Sequence, residues 1–162
     1  QKTKIGKNCL IMAYCHVAHD CFIGDYCIFS NNSTLAGHVT IGNYVILAGL
    51  VAVHQFCTVG DHAFIAGGSL VRKDVPPFVK AAREPLSYVG INSVGLRRRG
   101  FTSEKIAEIQ NIYRILYQKK FNNSQASGII EAEMVATPER DEIIQFISSS
   151  QRGIMKGYFQ KN

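Results

Sequence analysis

The chain has 162 residues, 46% of them hydrophobic and 19% charged, as in an ordinary globular protein with one or two compact units. No run approaches the 18 or more consecutive apolar residues of a membrane helix, which argues against stable membrane insertion. The net charge is +6, and residues 97–162 alone carry 11 basic and 7 acidic side chains. Because the basic residues are not interleaved with aromatic ones, nucleic acid is the weakest candidate partner, behind a membrane surface or an acidic protein.

An apolar residue recurs at every sixth position in the first half of the chain. The twelve positions are Ile5, Ile11, Val17, Ile23, Phe29, Leu35, Ile41, Leu47, Val53, Val59, Ile65 and Val71, here called leaders. A helix requires a spacing near 3.6 and an isolated strand one near 2, so a period of six matches neither. It is typical of the hexapeptide β-helix, in which three hexads make one coil of 18 residues and stacking buries the apolar face. Sandwich strands, separated by turn-rich gaps, fit this pattern poorly.

The five cysteines all lie four residues after a leader, at a position where small or β-branched residues recur throughout the repeat. Cysteine there is a small apolar filler, so we expect reduced thiols in the core rather than disulfides. The opening residues 1–4 lead into a hexad rather than a signal peptide. These features favour a cytoplasmic location.

Composition divides the chain into three parts. Residues 1–77 form the hexapeptide-repeat β-helix, which ends at Pro76-Pro77 because consecutive prolines remove two donors from the ladder. Residues 78–100 are expected to be an irregular connection with a hairpin about Arg83-Glu84-Pro85, and residues 101–162 a C-terminal helical domain. The repeat begins in mid-pattern without a polar cap, which suggests a longer natural chain with further coils upstream.

Three helices are expected in the last part. Thr102 is a good N-cap for a helix that runs to about Lys120, with apolar residues spaced along one face. A weaker helix is expected over residues 125–135, interrupted or delayed by Gly128. Thr137-Pro138 opens another, with proline at the first helical position. The end of the chain from Gly153 is expected to be loose.

The 18-residue stacking rule brings most of the histidines together. It places His19 beneath Gly37 and Gln55 in one column, Asp20 beneath His38 in the next, and His54 beside them. A histidine beside a carboxylate suits general base catalysis, since the carboxylate steadies the imidazolium that forms. His19 and Asp20 are the obvious pair. Gly37 leaves its backbone N–H open to an oxyanion, or serves only as a corner residue.

Other interpretations remain open at this point. Three histidines near a subunit boundary could bind zinc, as in hexapeptide carbonic anhydrases, although Gln55 would be a poor ligand. A solenoid of this kind could also be a purely structural trimerisation module. The run Arg97-Arg98-Arg99 is either a solvated surface cluster or a phosphate clamp, for which the planar guanidinium is suited.

Four motifs together resemble one family closely. They are His16-Val17-Ala18-His19-Asp20-Cys21, Leu35-Ala36-Gly37-His38-Val39, Ala52-Val53-His54-Gln55-Phe56 and the segment from Asn92 through Gly95-Leu96-Arg97-Arg98-Arg99-Gly100-Phe101. In this order they look like the UDP-N-acetylglucosamine O-acyltransferases of lipid A biosynthesis, over residues 5 to about 120. The hexads alone would indicate only a large superfamily of acyltransferases.

The resemblance implies a left-handed parallel β-helix followed by a helical domain, assembled as a homotrimer with active sites between subunits. It implies transfer of an (R)-3-hydroxyacyl group from acyl carrier protein to the 3-hydroxyl of UDP-N-acetylglucosamine. No metal or other cofactor is implied beyond the phosphopantetheine that carries the acyl group, and an acidic acyl carrier protein would suit the basic excess. The implied roles are general base for His19, its partner for Asp20, and oxyanion donor for the Gly37 N–H.

The resemblance also implies substrate-binding residues and a chain-length ruler. The substrate-binding residues are His16, His38, His54 and Gln55, with Asn92 and Arg98 at the nucleotide end. Gly67 matches the family position that sets acyl length, and a glycine there implies a long hydroxyacyl chain of 14 carbons or more, unless Gly67 and Gly68 serve only the turn. Val94 stands where better-known members carry an acidic residue, and the family's upstream coils supply further substrate contacts.

Overall fold

The computed structural model describes residues 2–118 and 120–158, and the first half of this described chain is a solenoid of short parallel strands. The strands are β1 (Lys4–Ile5), β2 (Leu10–Ile11), β3 (His16–Val17), β4 (Phe22–Ile23), β5 (Ile28–Phe29), β6 (Thr34–Leu35), β7 (Thr40–Ile41), β8 (Ile46–Leu47), β9 (Ala52–Val53), β10 (Thr58–Val59), β11 (Phe64–Ile65) and β12 (Leu70–Val71). The predicted parallel β-solenoid of hexapeptide repeats is therefore confirmed.

Strands that are 18 residues apart pair in parallel and build three flat sheets. Sheet A has the order β1-β4-β7-β10, sheet B contains β2, β5, β8 and β11, and sheet C has the order β3-β6-β9-β12. Val17 pairs with Leu35, and Leu35 pairs with Val53, so the predicted 18-residue register is confirmed. The chain passes from sheet C to A to B in every coil. We name its turns the CA corner (18–21, 36–39, 54–57), the AB corner (6–9, 24–27, 42–45, 60–63) and the BC corner (12–15, 30–33, 48–51, 66–69).

The leaders from Ile23 onward fill the solenoid interior, whereas Ile5 and Ile11 of the first coil are exposed. Beside them runs a ladder of thiol and hydroxyl donors. The Cys21 thiol donates to the carbonyl of Ala36 at 3.1 Å, and the Cys27 thiol to that of Gly42 at 3.0 Å. All five cysteines are free thiols, as predicted, and burial raises the pKa of Cys27 to about 12.

Each corner is turned by a residue with left-handed backbone, three positions after the leader. Ten consecutive examples are not glycine, with φ between 56° and 64°: Asn8, Tyr14, Asp20, Tyr26, Asn32, His38, Tyr44, Leu50, Phe56 and His62. Such backbone costs roughly 1–2 kcal/mol for each L-residue with a side chain. Contacts between the stacked coils must therefore offset this cost. They also hold the corner side chains at a fixed spacing along the solenoid.

A hairpin continues the solenoid beyond the diproline. Strand β13 (Val79–Ala82) adds to sheet B alongside β11 and pairs antiparallel with β14 (Ser87–Ile91). Helix α1 (Ser93–Arg98) follows directly. The expected loose end is wrong in part, because β15 (Lys156–Gly157) pairs in parallel with β14. This short strand lies outside the hexapeptide repeat, so no periodicity in the sequence predicts it.

Three longer helices follow: α2 (Ser103–Leu116), α3 (Asn123–Glu133) and α4 (Pro138–Ser149). Helix α2 packs against β14 of the hairpin, and α3 and α4 pack against α2. The predicted N-caps at Thr102 and Thr137 are confirmed, since each hydroxyl accepts a hydrogen bond from the backbone three residues on. Helix α3 begins earlier than predicted, at a capping box formed by Asn122, and continues through Gly128. Along the described residues, every helix is too short or too polar to traverse a lipid bilayer.

Candidate active site

The CA corner gathers most of the residues that the sequence analysis singled out. His19, Gly37 and Gln55 lie in one column of this corner because they follow β3, β6 and β9 at the same offset. The His38 N–H donates to the carbonyl of His19 at 3.1 Å, and the Phe56 N–H to that of Gly37 at 3.2 Å. The corner is thus a backbone-bonded stack of three polar turns.

His19 and Asp20 form a hydrogen-bonded pair at the open side of this corner. His19 Nδ1 lies 2.9 Å from Asp20 Oδ2, and the His19 side chain is 72% exposed. The hydrogen bond with His19 lowers the pKa of Asp20 below its ordinary value. With Nδ1–H assigned as the donor to the carboxylate, Nε2 is the ring nitrogen left to accept a proton.

His38 completes the cluster from the next coil. Its Nε2 lies 3.7 Å from Asp20 Oδ2, and its ring meets that of His19 edge-on, with centroids 5.1 Å apart. The His38 ring also stacks on Phe56, with centroids 4.7 Å apart and an interplanar angle of 9°. Sequence reasoning missed this contact of Phe56, although its 18-residue spacing from His38 was a sufficient signal.

The Gly37 N–H, like those of His19 and Gln55 in the same column, differs from three of its counterparts at the AB corner. At the AB corner, the backbone N–H groups of Lys7, Asp25 and Asn43 each donate to a side-chain oxygen one coil away, at 2.7 to 2.8 Å. In residues 2–118 and 120–158, no acceptor is bonded to the Gly37 N–H. An N–H without an internal acceptor beside the His19 ring can serve as an oxyanion donor.

His16 and His54 lie on the sheet C side of the corner. His16 is exposed on β3, and His54 is exposed just after β9, with its Nδ1 3.2 Å from the carbonyl oxygen of Gln55. A shallow groove of about 250 Å³ runs from His54 over the small side chains of Ala36 and Ala52. This groove is mostly apolar, so it suits an extended apolar ligand more than a sugar.

Asn92 and Arg98 lie elsewhere, over sheet B. Together with Lys80 and Phe64 they line a cleft of about 250 Å³ between the solenoid and α1. Asn92 is buried and caps α1: its Oδ1 accepts from the Gly95 N–H at 3.3 Å, and its Nδ2 donates to the His62 carbonyl at 3.0 Å. Its side chain is therefore occupied structurally, whereas Arg98 is exposed at the cleft.

One chain does not bring these two regions together. The CA corner joins sheets C and A, so it lies across the triangular section from sheet B, where the Arg98 cleft is found. Lys80 is a cation in that cleft that sequence reasoning missed, because a lone exposed lysine on a strand carries no motif.

Gly67 lies at the BC corner, exposed to solvent. The left-handed turn of its coil is made by Gly68, with φ of 71°, whereas Gly67 does not have the left-handed backbone that would demand glycine. A β-carbon at Gly67 would lie 3.2 Å from the carbonyl oxygen of Gly49. Backbone conformation alone thus does not explain a glycine at this position.

The same cluster at the CA corner could also hold a metal ion. His19, Asp20 and His38 each offer one ligand atom, and these three atoms lie within 4.8 Å of one another. The set that the structure favours for metal thus contains a carboxylate and two histidines, rather than the three histidines considered from the sequence. A tetrahedral zinc site would need a fourth ligand or a water.

Two family models match the chain. Residues 74–155 match the model described as UDP N-acetylglucosamine O-acyltransferase, domain 2, and residues 2–37 match the bacterial transferase hexapeptide model. These two matches cover the helical part and the first coils respectively.

Curated relatives cover almost the whole chain. Over 95% of this chain, acyl-[acyl-carrier-protein]--UDP-N-acetylglucosamine O-acyltransferases from Thiobacillus denitrificans and Myxococcus xanthus are 42% and 46% identical to it. The UDP-N-acetylglucosamine acyltransferase structure from Bacteroides fragilis is 48% identical, with a TM-score of 0.90 over 92% of this chain and 58% of that one. The chain spans about 60% of the length of the two curated relatives.

Proposed function

The chain belongs to the UDP-N-acetylglucosamine O-acyltransferase family, and from this we propose that it carries out the first step of lipid A biosynthesis. The reaction moves an (R)-3-hydroxyacyl group from acyl carrier protein to the 3-hydroxyl of UDP-N-acetylglucosamine. The observation that carries the proposal is the His19–Asp20 pair at 2.9 Å, with the unbonded Gly37 N–H one coil away. A base and an oxyanion donor side by side are what acyl transfer to a hydroxyl requires.

The proposed mechanism assigns each of these groups one task. His19 Nε2 takes the proton of the sugar 3-hydroxyl as its oxygen attacks the thioester carbonyl, and Asp20 stabilises the imidazolium through Nδ1–H. The Gly37 N–H donates to the oxyanion of the tetrahedral intermediate. The carbon–sulfur bond then breaks, and the imidazolium returns its proton to the departing phosphopantetheine sulfur. This scheme uses no metal and no resident cofactor.

Substrate binding is assigned to the exposed polar groups around this pair. His38, held by Asp20 and Phe56, and His54 with Gln55 border the position of the reacting hydroxyl at the CA corner. His16 lies on the adjoining strand of sheet C. Arg98 forms the nucleotide end, where its forked guanidinium suits a diphosphate, and Asn92 supports that end by capping α1.

We propose a homotrimer because the two halves of this site are on opposite sides of one chain. In a threefold assembly, the CA corner of one subunit could face the Arg98 cleft over sheet B of the next. Exposed apolar side chains such as Leu10 on sheet B and Leu70 on sheet C support burial of these faces. Analytical ultracentrifugation should give a molar mass equal to three chains.

Acyl carrier protein, which is acidic, is the proposed donor partner of the basic later part of the chain. The free thiols support a reducing, cytoplasmic location, because disulfides persist mainly in oxidising compartments.

The decisive experiment is an acyl transfer assay on the natural gene product that carries this sequence. With a labelled hydroxyacyl–acyl carrier protein and UDP-N-acetylglucosamine, we expect an ester at the 3-hydroxyl, and absence of that product would refute the proposal. Metal analysis of the same preparation separates the alternative: near-stoichiometric zinc would favour a metal enzyme built on His19, Asp20 and His38.

Mixing His19→Ala with Arg98→Ala tests the shared site directly, provided that activity is measured at a UDP-N-acetylglucosamine concentration well below KM, where each variant alone is nearly inactive. If His19→Ala and Arg98→Ala subunits are randomly reassembled in equal amounts, about a quarter of the interfaces pair an intact His19 with an intact Arg98. We expect activity near that fraction to return. No recovery after verified exchange of subunits would place both residues in the same chain's site.

A further inference from the structure

Helix α1 is held at both of its ends by a single solenoid residue, His62. At its start, the N-cap Asn92 donates through Nδ2 to the backbone carbonyl of His62 at 3.0 Å. At its end, Arg99 Nη1 lies 3.2 Å from His62 Nδ1. The six residues between these contacts include Arg98, which lines the cleft over sheet B.

The ring of His62 is itself immobilised by aromatic neighbours. It stacks on Tyr44 with centroids 4.9 Å apart and on Phe78 at 5.7 Å, and Phe101 meets it edge-on at 5.2 Å. The guanidinium of Arg99 lies 5.3 Å from the centre of the Tyr44 ring. This column of stacked rings runs along the AB corner from coil to coil, so the solenoid restricts the motion of His62 and of the α1 residues bonded to it.

The electrostatics of this contact require a neutral imidazole. Burial, with a further contribution from the positive charge of Arg99, lowers the pKa of His62 to about 4. At neutral pH its Nδ1 is therefore an acceptor, and the guanidinium of Arg99 can only donate. A protonated His62 would instead place two cations in contact.

The three consecutive arginines thus have different surroundings. Arg99 is half-buried against His62 and Tyr44, whereas Arg97 and Arg98 are exposed. Nothing in the motif itself distinguishes the inward arginine from its neighbours. The difference comes from His62, whose Nδ1 accepts a hydrogen bond from Arg99 and not from Arg97 or Arg98.

We propose that His62 is a positioning residue that fixes α1 on the solenoid and thereby aims Arg98 at the nucleotide. This rests on the proposed function, in which Arg98 binds the diphosphate of the UDP-sugar. His62 lies in the AB corner and touches none of the groups at the CA corner that carry out acyl transfer. Its loss should therefore affect nucleotide binding and spare the chemical step.

The test uses His62→Phe, which retains an aromatic ring in the column and removes only the acceptor for Arg99. In the full-length enzyme we expect KM for UDP-N-acetylglucosamine to rise about tenfold, with kcat within about twofold of the parent. Tyr26→Phe, two rings along the same column and distant from α1, is the matched control and should leave both constants unchanged. An unchanged KM in a folded His62→Phe enzyme would overturn the proposal.

Arg99→Met removes the same contact from the other side, and it serves if His62→Phe does not fold. Combined with His62→Phe it should add little further effect on KM, because both changes break one interaction. Fully additive effects would show that Arg99 and His62 act independently, contrary to the proposal.

A readout independent of activity separates this inference from the proposed function. Amide hydrogen exchange over residues 93–100 should accelerate in His62→Phe and Arg99→Met but not in Tyr26→Phe. If the parent showed no acyl transfer, the proposed function would fail while this measurement still tested the role of His62. Unchanged exchange in both variants would overturn that role.

Discussion

The imidazole of His19 occupies the space that a side chain at Gly37 would need. A β-carbon built on Gly37 falls 2.7 Å from both Cε1 and Nε2 of His19, closer than such carbons approach any atom. Since the His19 side chain is exposed, Gly37→Ala should displace the ring from Asp20 rather than shift the backbone. We expect kcat to fall by about 10² or more with little change in Tm. A large loss of Tm instead would show that Gly37 serves the fold.

Removal of the base itself should have the larger effect. His19→Ala is expected to lower kcat by about 10² to 10⁴, because the sugar hydroxyl is too weak an acid to attack unaided. The exposed position of His19 means that the thermal unfolding curve should be unchanged. Steady-state kinetics at saturating substrates would measure this, and near-parental kcat would remove His19 from the base role.

Arg98→Ala should weaken binding of the UDP-sugar rather than slow the chemistry. Loss of a hydrogen bond to a charged phosphate corresponds to about 1.5–3 kcal/mol, which should appear as a rise in KM. Arg97→Ala is the matched control, since Arg97 is equally exposed but does not line the cleft. Equal KM values for the two variants would return both residues to a solvated surface cluster.

Gly67→Met should shorten the preferred acyl chain. The backbone at Gly67 accepts a side chain once the carbonyl of Gly49 yields by a few tenths of an ångström, so the fold should survive. Each displaced methylene of a long donor costs about 0.8 kcal/mol, which should shift selectivity towards shorter donors by several kcal/mol.

The neighbouring glycine provides the control for that experiment. Gly68 has φ of 71°, so Gly68→Ala should lower stability by roughly 1–2 kcal/mol without changing chain-length preference. Kinetics across a series of acyl carrier protein donors would measure both variants. Identical selectivity in Gly67→Met and the parent would leave chain length to another residue.

Glu142 should make the fold less stable above neutral pH. Burial, together with the negative charge of Asp61, raises the pKa of Glu142 to about 7. The folded state therefore binds a proton that the unfolded state releases near pH 4.3, and stability from this group falls as pH rises towards 7.

Glu142→Gln removes this penalty. After allowance for partial exposure, we expect it to raise the free energy of unfolding by about 1 kcal/mol at pH 8 and by almost nothing at pH 4.5. Urea denaturation at the two pH values measures the difference, with the exposed Glu131→Gln as control. A pH-independent effect of Glu142→Gln would contradict the assignment.

The sequence predicted the solenoid and the CA corner because both depend on periodicity. A period of six in the leaders implies the 18-residue register, and that register alone places Asp20 under His38. Beyond the repeat, prediction depended on caps: Thr102 and Thr137 were identified from local chemistry, whereas β15 pairs with a strand about 70 residues away and left no local signal.

The orientation of the side chains at the nucleotide end could not be predicted from the sequence for a related reason. The motif around Arg98 shows which side chains are present, but the direction of each arginine depends on His62, which is more than 30 residues earlier in the chain. Likewise, the orientation of the Asn92 side chain depends on the His62 carbonyl in the fourth coil. Contacts of this kind follow from tertiary packing and not from spacing.

Because each coil has three sides, the positions of the site residues depend on the number of residues between them along the chain. Removal of six residues between Asp20 and His38 would retain every apolar leader in phase, and the solenoid could still close. The deletion would, however, move every later residue of the solenoid to a different side of the triangle. His38 and His54 would then no longer lie at the corner that contains His19. Only insertions or deletions in steps of 18 preserve the angular position of each group. Homologous chains that retain this chemistry should therefore differ in length within the solenoid by whole coils, with shorter changes confined to loops that leave and rejoin at one corner.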